Sequence, residues 1–121
     1  MATLKGFGSL AAISAEKMTD KITRRIVAGE KSMAVWVDIK AGAHAAAHSH
    51  PDEQIVWMIK GKMDFRIGSD RRVLKAGDVA VISGGVEHEA WCQEDTEVVD
   101  IFAPPREDFL KGGTPAYMRE N

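Results

Sequence analysis

Gly42-Ala43-His44-Ala45-Ala46-Ala47-His48-Ser49-His50-Pro51-Asp52-Glu53-Gln54-Ile55-Val56-Trp57-Met58-Ile59-Lys60-Gly61 begins and ends on glycine and carries three of the chain's four histidines. His48 and His50 stand two residues apart. In an extended strand alternate side chains share a face, so both imidazoles leave on one side. Gln54 has the same parity. Glu53, one residue earlier, does not, because a one-residue shift turns a strand side chain to the opposite face. Imidazole is a common metal ligand. The stretch is therefore predicted to present His48, His50 and Gln54 to one ion, leaving Glu53 in solvent or at a turn. His44 shares the parity of His48 if the strand is regular, and is expected at the rim or exposed.

Downstream, Gly77-Asp78-Val79-Ala80-Val81-Ile82-Ser83-Gly84-Gly85-Val86-Glu87-His88 supplies the fourth histidine. Around both stretches lie short runs rich in Val, Ile, Phe and Trp: Lys21–Val27, Ser32–Lys40, Gln54–Lys60, Lys62–Ile67, Arg71–Leu74, Val79–Ile82, Glu89–Gln93 and Glu97–Phe102. Val35, Val37 and Ile39 alternate with Trp36, Asp38 and Lys40, the period-two pattern of a strand buried on one face. Gly29, Gly61, Gly68-Ser69-Asp70, Gly77-Asp78 and Gly84-Gly85 mark turns between the runs. Short strands separated by such turns predict an antiparallel sandwich or barrel, an all-β single domain. Arg106–Lys111 is predicted as one short helix ended by Gly112 and Gly113. Ala41–Ala47 lies between glycine and histidines and is not read as a helix. The organisation read is an N-terminal arm over 1–20, a barrel over 21–110 and a C-terminal tail over 111–121.

Composition narrows the function. The chain has 121 residues, with 16 Lys and Arg against 18 Asp and Glu. That near balance, with no basic block, argues against nucleic acid or an anionic membrane as partner. The one cysteine, Cys92, cannot form an internal disulfide and is expected to pack as a small apolar residue. No apolar run approaches a membrane span. Phe7–Ala15 is mildly apolar, but Gly8, Ser9 and Ser14 dilute any likeness to a signal peptide, and the cytoplasm is expected.

A second group of residues follows the apolar pair Val98-Val99. Asp100 and Phe102 alternate to one face, Pro104-Pro105 end the strand, and Arg106 then has reach over a barrel mouth. One reading pairs Asp100 with Arg106 as a structural ion pair, with Phe102 in the core. The other assigns them a ligand. Arg grips a carboxylate through parallel hydrogen bonds, an aromatic ring packs on a sugar face, and a carboxylate moves protons.

The spacing of Gly42, His48, His50, Gln54 and Gly61 resembles the first cupin motif. That of Gly77-Asp78, Gly84-Gly85 and His88 resembles the second. Ser83 stands where the second motif usually has proline, and Gln54 where the first has glutamate. The resemblance implies a jelly-roll barrel (a double-stranded β-helix) with His48, His50, Gln54 and His88 around one divalent transition metal ion: Zn, Ni, Fe, Mn or Co. The run from Arg24-Arg25 through His48–Gln54 to Asp100, Phe102 and Arg106 is similar to the small cupins of pectin and alginate breakdown, which linearise 4,5-unsaturated uronic acids. Trp57 stands where a tyrosine is common in that family. The narrower resemblance implies an enzyme in which Asp100 and Arg106 are catalytic, Phe102 and Arg106 bind an anionic sugar, and the chain forms a homodimer. The same ligands would also serve a non-haem iron dioxygenase or a sugar-binding module without turnover.

Overall fold

The structure, a computed structural model, describes residues 4–118. The eight runs become eight of the ten strands among the described residues. The ten are β1 (Glu16–Lys17), β2 (Ile22–Ala28), β3 (Met33–Ile39), β4 (His44–His48), β5 (Glu53–Lys60), β6 (Lys62–Ile67), β7 (Asp70–Lys75), β8 (Val79–Ile82), β9 (His88–Trp91) and β10 (Thr96–Ala103). Every neighbouring pair is antiparallel, in a six-stranded sheet of order β1-β2-β3-β10-β5-β8 and a four-stranded sheet of order β4-β9-β6-β7. The two sheets form the all-β jelly roll that the sequence predicts. The helix α1 (Glu107–Lys111) follows Pro104-Pro105 and ends at Gly112.

Between the sheets, Val35 and Val37 of β3, Val56 and Met58 of β5, Met63 and Phe65 of β6, and Val98 and Phe102 of β10 are all buried. Their alternating spacing places one side of each strand in the interior and the other toward solvent. Cys92 is buried among them, and burial pushes its thiol up to about 11.

Three details differ from the sequence reading. Glu16–Lys17, inside the expected arm, pairs with β2 and extends the larger sheet. Part of the expected tail, Ala116–Met118, forms a 3-10 turn whose Tyr117 and Met118 line the interior cavity. The arm's residues 1–3 and the tail's 119–121 lie outside the described residues. The third difference bears on the site. Strand β4 is irregular, with Ala45 opposite Ala90 and His48 opposite His88, so one extra residue is spent between them. Such a bulge breaks the alternation. His44 therefore loses the parity of His48 and faces outward, where it contacts Glu89 at 2.6 Å and stacks on Trp91.

Glycine matters most at two corners. Gly61, with φ +88°, turns β5 into β6 so close to Asp95 and Thr96 that a Cβ would collide with their backbone. A Cβ on Gly84 would collide with the Pro51 carbonyl. Beside it, the Gly85 N–H donates to the His50 carbonyl at 2.8 Å. The Gly84-Gly85 corner thus lies directly on the loop that carries His50, and this contact sets His50 against His88.

Candidate metal centre

His48 ends β4, His50 lies just beyond it, and His88 opens β9, the hydrogen-bonded neighbour of β4. One ring nitrogen from each lies within 4.8 Å of the others, a cluster that could hold a metal ion. His88 and His50 are buried residues, and His48 is partly buried.

The backbone fixes which nitrogen each ring offers. His48 Nδ1 faces the Ala46 carbonyl at 2.6 Å, His88 Nδ1 the Val86 carbonyl at 2.9 Å, and His50 Nδ1 the Asp52 carbonyl at 3.0 Å. A carbonyl only accepts, so each Nδ1 carries the proton and each Nε2 keeps its lone pair. His88 Nε2 is buried without a hydrogen-bond partner. Leaving a buried polar atom unpaired costs about 1–3 kcal/mol unless something occupies the position.

Gln54, on β5, strengthens this reading. Its Nε2 donates to Asp100 Oδ1 at 3.1 Å, which turns Oε1 toward His50 Nε2 at 3.0 Å. Two lone-pair atoms then face each other. That arrangement repels in isolation and is natural around a cation, where bonds of about 2.1 Å set neighbouring ligands about 3 Å apart. Three neutral imidazoles and an amide oxygen are donors that suit a divalent transition ion. Glu53 is exposed, on the other face of β5, as its parity predicts.

Burial lowers all three imidazoles, His48 to about 4, and the positive Arg106 lowers His50 further. They are therefore neutral near pH 7, the form that binds a metal. Burial raises the Asp100 carboxyl to about 6, against the opposing pull of Gln54 and Arg106.

The second constellation assembles next to this cluster, with one departure. Asp100 does not bond Arg106. It accepts from Gln54, while Arg106 donates through Nε (3.1 Å) and Nη2 (2.6 Å) to the two carboxylate oxygens of Asp108. The Nε side of the guanidinium fork is thus taken by Asp108. Its remaining outlet, Nη1, donates to the Tyr117 hydroxyl at 2.8 Å. Phe102 is a core residue, packed edge-on against His50 and Phe109, with the Arg106 guanidinium 5.2 Å from its ring centre. His48, Gln54, His88, Asp100, Phe102 and Arg106 all line one interior cavity.

Two residues that the sequence reading did not single out support this group. Tyr117 stacks on His48 with ring centres 3.5 Å apart and planes 1° from parallel. Asp108 anchors Arg106. Neither belongs to a periodic run or a metal-spaced pair, so nothing local in the sequence marks them.

A family model described as a cupin domain matches residues 35–102, more than half of the chain. The chain belongs to the cupin family. This cupin is 32% identical over 98 residues to the pectin degradation protein KdgF of Dickeya dadantii (strain 3937), covering 78% of this chain and 89% of that protein. Among solved structures, KdgF from Halomonas sp. superposes with a TM-score of 0.82 at 29% identity, covering 88% of this chain and 100% of that one. An RmlC-like cupin from Shewanella frigidimarina NCIMB 400 superposes at 0.85 with 26% identity, over 90% and 99% of the two chains. The cupin resembles the KdgF proteins in sequence and in fold. Its three-histidine cluster, within a cupin domain, points to a divalent metal site.

Proposed function

We propose that this cupin opens the ring of 4,5-unsaturated uronic acids, of galacturonate or glucuronate type, to linear keto-deoxy-uronates. The observation that carries the reading is the Gln54 bridge, which joins Asp100 to His50 of the three-histidine cluster, beside the cavity that Arg106 and Phe102 line. The likeness to the two KdgF proteins, one described as a pectin degradation protein, supports the substrate class.

His48, His50, His88 and Gln54 would hold the metal. A divalent ion there supplies Lewis acidity toward a bound sugar oxygen. Because all four donors are neutral, the site stays positive and favours an anionic sugar over a neutral one. Arg106, oriented by its ion pair with Asp108, offers the end of its fork to the carboxylate. Asp100 takes the proton of the anomeric hydroxyl as the bond between C1 and the ring oxygen breaks. The ring oxygen leaves as the enolate at C5, and return of that proton to C4 gives the ketone. Atoms and electrons balance without a co-reactant, since substrate and product are isomers. Phe102 closes the cavity on the side of His50, beneath the sugar. The cupin acts in the cytoplasm as a homodimer. The exposed apolar side chains Trp57, Val79 and Val81 on the adjacent strands β5 and β8 support pairing of two chains there.

The test follows the ultraviolet absorbance of the enol in freshly generated unsaturated galacturonate, against its spontaneous decay. The native protein should far exceed the spontaneous rate, and Arg106→Ala and a chelated sample should fall back toward it. A native rate equal to the spontaneous rate would overturn the proposal.

A further inference from the structure

The cavity beside the histidines measures about 80 Å³, far below the roughly 300–1,000 Å³ of ordinary small-molecule sites. Outside it lies a cleft of about 950 Å³ bordered by His50, Pro51, Asp52, Pro104 and Pro105. Arg106 and Tyr117 line both spaces, so together they form the wall between them. The Tyr117 ring lies flat on His48 at van der Waals distance, and its hydroxyl takes the Arg106 Nη1 that Asp108 leaves over. A flat six-membered ring on a histidine and an oxygen on Arg106 is the arrangement a uronate would itself adopt in this site.

We infer that Tyr117 is an internal occupant of the ligand's place, and that an anionic sugar reaches the histidine cluster only when Tyr117 withdraws. The substrate class rests on the function proposed above; the gating does not. The chain that carries Tyr117 is a short strap anchored at its base. Arg24 Nη2 donates to the Gly113 carbonyl at 3.3 Å, and the Thr114 hydroxyl donates to the Met18 carbonyl at 2.8 Å. Only the 3-10 turn Ala116–Met118 must swing. The Tyr117 hydroxyl is an uncharged acceptor on Arg106, and a charged carboxylate, which makes the stronger hydrogen bond to a guanidinium, can displace it.

A closed strap weakens apparent binding by the fraction of time it is open. The test titrates D-galacturonate, a saturated uronate with no enol to convert, into the zinc-loaded native protein, Tyr117→Phe and Tyr117→Ala, by calorimetry. In parallel, the rate of zinc release to an excess of chelator is measured for all three. Galacturonate should bind about tenfold tighter to Tyr117→Ala than to the native protein, on the population argument. Tyr117→Phe, which loses the Arg106 contact and keeps the ring, should fall between them, and zinc release should accelerate in the same order. Release rates equal in all three proteins overturn the gate. So does galacturonate that binds the native protein and binds both variants no more tightly. Faster release with no galacturonate binding in any of the three keeps the gate and overturns the uronate reading.

Discussion

Replacing Gly84 by alanine should damage stability and metal binding together. The added Cβ meets the Pro51 carbonyl at a separation no real pair adopts, and the neighbour is backbone, which cannot rotate away. Relief requires the His50–Asp52 loop to lift from the Gly84-Gly85 corner by on the order of 1 Å, to restore van der Waals separation. Overpacking of this kind costs about 1–3 kcal/mol, a large part of a typical stability of about 5–15 kcal/mol. The same shift stretches the Gly85-to-His50 hydrogen bond and separates His50 from His88, whose ring centres stand 4.9 Å apart. Disturbing the groups that orient a ligand typically lowers metal affinity by about 10–100-fold. Gly29→Ala is the control, because a Cβ there makes only an ordinary contact of 3.7 Å with the Ser32 carbonyl. Urea melts of metal-free protein and competitive zinc titrations read the two effects. Gly84→Ala indistinguishable from Gly29→Ala in both would refute the claim that this corner sets the histidine geometry.

Three further outcomes follow from the site and its surroundings. Burial raises Asp100 to about 6 from an ordinary value of about 3.9. A raised folded-state pKa favours the neutral acid, so that stability is full at low pH and is lost as pH climbs through about 6. Metal-free Asp100→Asn should therefore gain on the native protein between about pH 4 and pH 7, by up to about 3 kcal/mol. A pH-independent difference in urea melts contradicts this. Gln54→Glu removes the amide that donates to Asp100 and sets two carboxylates face to face. The metal-free variant should lose about 1–3 kcal/mol, and added zinc should restore more stability than it gives the native protein. Equal zinc-induced gains in Tm would argue against Gln54 facing the ion. Trp57→Lys, on the exposed apolar face of β5 and β8, should shift the mass measured by light scattering from dimer to monomer while the far-ultraviolet circular dichroism is unchanged. An unaltered mass would exclude that face.

Much of the fold was legible because one chemical signal governed it. Seven of the eight predicted runs match observed strands to within a residue at each end, as expected where alternation decides burial. Glu53 and Gln54 fell on opposite faces of β5 for the same reason. Where strand geometry is irregular, parity failed. The bulge in β4 separates His44 from His48, and bulges carry no fixed sequence sign outside glycine. The role of Asp108 was hidden because Arg106 had two acidic candidates, Asp100 and Asp108, and the turn after Pro104-Pro105 chose the nearer. Tyr117 was invisible because its contact with His48 joins residues far apart in the chain. Its flanks, Gly112-Gly113 and Pro115, read simply as a tail.

The central claim is that one ion, held by His48, His50, His88 and Gln54, is required for opening an unsaturated uronate. The most direct measurement adds divalent metal in steps to the metal-free protein and records the rate of enol loss at each step. The rate should rise linearly and break at one equivalent per chain, with no rise in His88→Ala. A rate above the spontaneous background without metal, or one indifferent to added metal, would contradict the claim.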